Sequence, residues 1–181
     1  MPLYENLLYS MALLAMVMDL KTETIPNEGI CLFWGTGLAY RIARDGWAGA
    51  AGWFWGAVLP VLLLAALFLP RMIGAGDIKL LSALGGMMGP AAVVKCIGIS
   101  FFCGAVLGAA ILIDTGTLFL RLRHFADYFR TFIKTKTVVP YYQRGERLEN
   151  IHFSVPVFMA VMLHMGGIYS VSYTHLTLPT T

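Results

Sequence analysis

The chain has 181 residues, of which 58% are hydrophobic and 13% charged, with a mean hydropathy of +0.72. Soluble domains of this size carry about a quarter charged residues, so the composition excludes an ordinary soluble enzyme, a secreted disulfide scaffold and a disordered regulator. A net charge of +3 gives no footprint for nucleic acid, and what remains is an all-α polytopic membrane protein with about six transmembrane helices at ~20 residues each.

The first apolar segment, 3–18, runs into the polar string Asp19-Leu-Lys-Thr-Glu-Thr-Ile-Pro-Asn27. It lacks the basic start and small-residue cleavage site of a signal peptide, and reads as a retained helix. The second, 29–42, is closed by Arg41, Arg44 and Asp45. The third, 47–69, opens with Trp47, Trp53 and Trp55, which read as an interfacial aromatic belt. Residues 70–76 break the chain. The fourth segment, 77–88, extends weakly towards Val94 across Gly85, Gly86, Gly89 and Pro90, and like the second is short enough for tilt or partial re-entry. The fifth covers 96–120 and the sixth 151–169. Between these two, residues 121–150 form a polar stretch in which Phe125, Tyr128, Phe129, Phe132 and Ile133 recur at helical spacing while Arg130, Lys134 and Lys136 point elsewhere. This is an amphipathic helix for the cytoplasmic headgroup region, with membrane anchoring favoured over substrate docking. Residues 1–169 are thus one membrane-embedded unit. The tail 170–181, rich in Ser, Thr and Pro, reads as non-native or unstructured and is set aside with its His175. Cys31, Cys96 and Cys103 form no C-x-x-C and read as apolar packing residues; the four histidines are scattered, and neither a metal site nor a cofactor is expected.

Ten of the thirteen Lys and Arg residues fall in alternate connections: Lys21 after the first segment, Arg71 and Lys79 after the third, and seven after the fifth. The positive-inside rule places these connections in the cytoplasm and both termini outside, in a multi-pass plasma (inner) membrane protein.

A charge within a span costs ~2.5–3.5 kcal/mol on insertion scales, so each acid near one needs a reason. Asp19 closes the first helix and Asp77 opens the fourth. By parity of crossings both lie on the cytoplasmic face at similar depth, and they meet if these two helices pack together. The small residues of Gly74-Ala-Gly-Asp77 and Gly85-Gly86 make close helix approach feasible. Two facing aspartates share one proton: the ionised one activates water and the protonated one polarises a carbonyl. Gly74 and Gly76 would let the backbone take conformations closed to other residues and let an extended peptide approach. The alternative is structural, with Asp19 as a helix-end polar residue and Asp77 as an N-cap. Asp114, expected about two turns inside the fifth helix and bonded to Thr115 and Thr117, is a further candidate for which a bundle-facing structural role is favoured.

The Asp19…Ile25-Pro26-Asn27 string resembles the D…IPN segment of type IV prepilin peptidases. Gly74-Ala-Gly76-Asp77-Ile-Lys79 resembles their G-x-G-D-x-K segment, and Phe153-Ser-Val-Pro156 a Phe-x-x-Pro element. The similarity spans about 1–169. It implies a membrane-embedded aspartic endopeptidase with Asp19 and Asp77 as catalytic pair, which cuts the short basic leader, after a Gly, from prepilin-like precursors. Its partners are then the leader with its apolar helix and the lipid bilayer. Gly74, Gly76, Lys79, Pro26 and Asn27 are supporting residues. Pro26 and Asn27 are expected to make the turn into the second helix, and Lys79, two residues after Asp77, is expected on the opposite face. Larger members insert paired C-x-x-C zinc motifs and also N-methylate the new terminus. This chain has no C-x-x-C and only a short string between Asp19 and Glu28, which speaks against the methylating activity, so the resemblance is to the short, peptidase-only form associated with tight-adherence (Flp-type) pili or archaeal filaments.

Two other classes compete. A small proton- or ion-coupled transporter would use intramembrane aspartates near the midplane and show inverted repeats, which the sequence lacks. A non-catalytic assembly partner of a pilus machine would be stable in membranes and proteolytically inert.

Overall fold

A computed structural model of the chain describes residues 2–22, 24–69, 72–135 and 152–167, and these are helical with short connections. The helices are α1 (Pro2–Thr22), α2 (Asn27–Phe68), α3 (Ala75–Met88), α4 (Pro90–Asp114), α5 (Leu118–Thr135) and α6 (Ser154–Met165). Among them α1, α2 and α4 are long and apolar enough to cross a membrane. The tail 170–181, and with it the reading of its character, lies outside the described residues.

α2 is two arms joined at Gly46, whose φ of 61° and ψ of −142° are open to glycine and closed to most side chains. The arms fold back on each other. Trp34 and Trp53 meet edge to face at 6.5 Å, and a Cβ at Gly49 would overlap the Arg41 carbonyl oxygen. The second and third apolar segments of the sequence are therefore the two arms of a tight helical hairpin. Trp47 and Trp55 are exposed as a belt requires, but Trp53 is not one of its members. Its indole nitrogen lies 3.3 Å from where a Cβ of Gly37 would stand, and a Cβ at Gly86 would press on the same indole.

α3 has 14 residues, about 21 Å at 1.5 Å per residue, short of the ~30 Å hydrocarbon core. Ile78 and every residue from Leu80 to Met88 are buried, so this helix is the centre of the bundle and is apolar on all sides. It runs antiparallel to the second arm of α2. Ser82 Oγ donates to Ala57 O at 2.7 Å, and Gly56 and Gly85 press backbone to backbone, a Cβ on either overlapping the other's carbonyl oxygen. The close approach expected at Gly85-Gly86 thus exists, but its partner is α2 rather than α1. At the far end of α3, Arg41 Nε donates to Met87 O at 3.1 Å, satisfying a carbonyl that the helix terminus leaves open.

Only Gly89 separates α3 from α4. Its φ of 87° breaks the helix and Pro90 restarts it at the first position. Hence α4 begins at 90 rather than 96. It ends at Asp114 rather than 120, because Gly116 takes a φ of 66° and Thr115 folds its hydroxyl back onto Ile111 O at 2.9 Å. The expected amphipathic helix follows as α5, with Phe119, Leu122 and Phe125 exposed. Cys96 is buried as a packing residue, whereas Cys31, on the outer surface of α2, is exposed.

α6 lies antiparallel along α1. Tyr4 Oη is 3.3 Å from His164 Nε2 at one end, the rings of Tyr9 and Phe158 are 5.9 Å apart midway, and Asp19 meets Ser154 at the other. Leu8, Met11, Ala12 and Ala15 of α1, Leu80, Leu81 and Leu84 of α3 and Val157, Ala160 and Val161 of α6 share one core. The alternation of directions brings the C-terminus of α1, the N-terminus of α3 and the N-terminus of α6 to one end of the bundle.

Candidate active site

At that end an open cleft of about 260 Å³ is lined by Asp19, Thr24, Ile25, Gly74, Gly76, Asp77 and Lys79. Asp19 stands in the last turn of α1 and Asp77 in the first turn of α3. The α1–α3 connection through the α2 hairpin returns the chain to its starting face, and both carboxyls line the cleft there because both helices end at that face.

Asp77 is the third residue of α3, with Gly74 as N-cap. Its carboxyl reaches back to accept a hydrogen bond from the Gly74 backbone N–H, which is the acidic half of a capping box. Burial raises the Asp77 pKa from 3.8 to about 6, the nearby Asp19 carboxylate raises it too, and the Gly74 N–H opposes both. The local backbone is ordinary. Gly74 has φ −75° and ψ 147°, and neither Gly74 nor Gly76 has a positive φ. The expectation that these glycines supply conformations closed to other residues is therefore corrected. They matter through what they leave out: a Cβ at Gly74 would lie 3.0 Å from Asp77 Oδ2, and one at Gly76 would project into open space on the wall of the cleft.

Lys79 is not on the opposite face. It lines the cleft beside Asp77, and its Nζ donates to Asn27 Oδ1 at 2.9 Å. The helical-wheel argument fails here because the cleft lies over the open end of α3 rather than along its flank. A four-carbon stem reaches that end from either side of the first turn. The contact ties the Ile-Pro-Asn string to the Gly-x-Gly-Asp-x-Lys string. Pro26 is the N-cap of α2 with φ −63° and ψ 145°, and its carbonyl accepts from Ile30 N at 3.3 Å, so Pro26-Asn27 makes the turn into α2 as expected. Asp114 does not reach the site. It is exposed at the end of α4, and Thr115 and Thr117 bond each other at 2.9 Å instead of bonding it.

Two contacts of Asp19 escaped the sequence reading, although one of the residues that make them, Ser154, lies inside the Phe153-Ser-Val-Pro156 element. Ser154 Oγ donates to Asp19 Oδ2 at 2.6 Å, and His152 Nδ1 stands 3.3 Å from the same oxygen. The available signal was positional, since the sixth segment starts on the face where the first one ends. Thr24 and Ile25 also line the cleft, as part of the string that carried the resemblance.

The profile of the type IV leader peptidase family matches residues 6–109, a stretch that holds both cleft aspartates and both motif strings. Comparisons with curated proteins and with solved structures gave no match.

Proposed function

The chain belongs to the type IV leader peptidase family, and on that premise we propose that it is a multi-pass aspartic endopeptidase of the plasma (inner) membrane. It cuts the short basic leader from prepilin-like precursors at the cytoplasmic interface, with both of its own termini outside, and does not methylate the product. The observation that carries the reading is the pair Asp19 and Asp77, which line one cleft at the ends of two helices although the α2 hairpin separates them in sequence.

In this reading Asp77 holds the shared proton and Asp19 is the base. Burial and the neighbouring carboxylate keep the proton on Asp77 up to about pH 6. Asp19 accepts a proton from water as its oxygen bonds to the scissile carbonyl carbon, while Asp77 gives its proton to the carbonyl oxygen. The tetrahedral intermediate then collapses, a proton passes to the leaving nitrogen, and the peptide bond breaks. The open side of the cleft admits an extended peptide past Gly76, which offers no side chain to obstruct it. The apolar helix that follows the leader stays in the bilayer beside the enzyme.

The test is co-expression with a precursor bearing a short basic leader ahead of an apolar helix. The wild type should convert it to a shorter product, while Asp19→Asn and Asp77→Asn accumulate in membranes and leave it uncut. Mass measurement of the new N-terminus should find it unmethylated. Cleavage by both variants would remove the pair from the mechanism.

A further inference from the structure

Asp19 is held by Ser154, a variable position of the Phe-x-x-Pro element, and by His152, which lies outside the family motifs. Ser154 is 1% exposed and stands in the first turn of α6. A buried serine within a helix commonly turns its hydroxyl back onto the carbonyl one turn earlier, as Ser100 does with Cys96 O at 2.7 Å. In a first turn no helical carbonyl lies behind, and the Ser154 hydroxyl crosses to Asp19 Oδ2 instead. His152, just ahead of α6, brings Nδ1 to 3.3 Å from the same oxygen, and its side chain is 24% exposed against 14% for Asp19. Among the described residues Oδ1 of Asp19 has no hydrogen-bond partner.

This asymmetry matters because the terminal torsion of an aspartate is broad and roughly two-fold. A carboxylate held only by its own stem presents either oxygen, at variable tilt, to a reactant. Two contacts on a single oxygen remove that freedom. They come from the first turn of α6 and from His152 just ahead of it, both outside the stretch 6–109 matched by the family profile.

We propose that Ser154 and His152 are positioning residues for Asp19, holding the carboxylate by Oδ2 so that Oδ1 is the oxygen that takes the proton of the attacking water. The inference rests on the peptidase reading above. In the step it describes, an O–H bond of water breaks, its proton goes to Oδ1, the oxygen bonds to the carbonyl carbon, and the carbonyl oxygen takes the proton of Asp77. Ser154 and His152 act in it through Asp19 Oδ2. Their removal should therefore lower turnover and leave substrate binding alone.

The experiment uses the full chain in detergent with the precursor as substrate, resolving kcat from KM, with thermal unfolding recorded for each variant. Ser154→Ala should lower kcat by about 10–100-fold, the scale of a misplaced reacting group, with KM within about threefold of the wild type. His152→Asn keeps an N–H donor where Nδ1 stands, whereas His152→Gln carries it to the place of Nε2. The Asn variant should retain most of the wild-type kcat and the Gln variant should lose it, at matched unfolding temperatures. Wild-type turnover from Ser154→Ala, or equal rates for the two His152 variants, would overturn the positioning role. The His152 pair decides even if Ser154→Ala fails to fold. Failure of the peptidase reading looks different, because the wild type itself would then leave the precursor uncut.

Discussion

Replacing Asp77 by asparagine should stabilise the protein while abolishing the chemistry, and the pH dependence of that gain follows from the site. In the folded chain the Asp77 carboxyl titrates at about 6 instead of 3.8, chiefly because burial penalises its charge and secondly because Asp19 repels it. Each tenfold displacement of such an equilibrium is worth about 1.4 kcal/mol, which puts roughly 3 kcal/mol against folding once the group is ionised. The sign follows from which state releases the proton first. Below about pH 4 the folded and unfolded chains both hold it, and no penalty exists. Between about 4 and 6 the unfolded chain ionises while the folded one does not, so stability falls as pH rises. Above about 6 the penalty is complete. Asparagine is neutral throughout and keeps an oxygen to accept the Gly74 N–H. Asp77→Asn should therefore unfold with the wild type at pH 4, and at a progressively higher temperature than the wild type from pH 5 to pH 8. Thermal unfolding in detergent across that range reads the difference directly. An Asp77→Asn protein no more stable than the wild type at pH 8 would refute the argument that burial and Asp19 set the charge state of Asp77. For the wild type, the same proton predicts that kcat/KM, which reports the free enzyme, declines as pH rises through about 6.

Gly74→Ala places a methyl 3.0 Å from Asp77 Oδ2 and should lower kcat about tenfold by displacing that carboxyl. Gly76→Ala meets nothing and should fold at least as stably as the wild type while raising KM, because its methyl enters the cleft. Precursor-processing kinetics on both variants separate the two effects. Asn27→Ala and Lys79→Met should each weaken processing modestly, and the double variant should be no worse than either alone. A coupling on the order of 0.5–1 kcal/mol in a double-mutant cycle is expected for a solvent-facing hydrogen bond. Gly56→Ala drives a methyl into the Gly85 carbonyl and should cost about 1–3 kcal/mol, seen as a lower unfolding temperature. Asp114→Asn should process the precursor at the wild-type rate, since that carboxyl is exposed at the end of α4.

What the sequence displayed well was direction and chemistry. Apolar runs separated by charge marked α1, the two arms of α2 and α6. Counting reversals put Asp19 and Asp77 at the same end, which is where the cleft lies. Boundaries inside glycine-rich text were less visible. The text reads as one weak continuation across Gly85, Gly86, Gly89 and Pro90, yet the helix runs through the first two and stops at Gly89, where φ is 87°. The difference is tertiary: Gly85 and Gly86 are small because Gly56 and Trp53 press against them, and only the packed partner distinguishes that use of glycine from a turn. α3 offered no periodic face to read, because a helix surrounded on all sides has none.

The site shows the same division between what one strand of text carries and what only packing supplies. Asp19, Asn27, Asp77 and Lys79 lie within two short motifs, but the Lys79–Asn27 bond that joins these motifs depends on how α2 and α3 start beside each other. The partners of Asp19 lie still further away, since Ser154 meets it across 135 positions. A histidine just ahead of an apolar helix and a serine in its first turn carry no chemical signature of their own. They acquire one from the antiparallel register of α6 on α1, which is fixed at its other end by Tyr4 and His164. The scarcity of charge in an apolar chain identified which acids to examine, and helix direction determined which of them share a cleft. The register of the last helix decides which oxygen of Asp19 is left for the reaction, so a substitution that slides α6 along α1 should impair turnover without touching either aspartate.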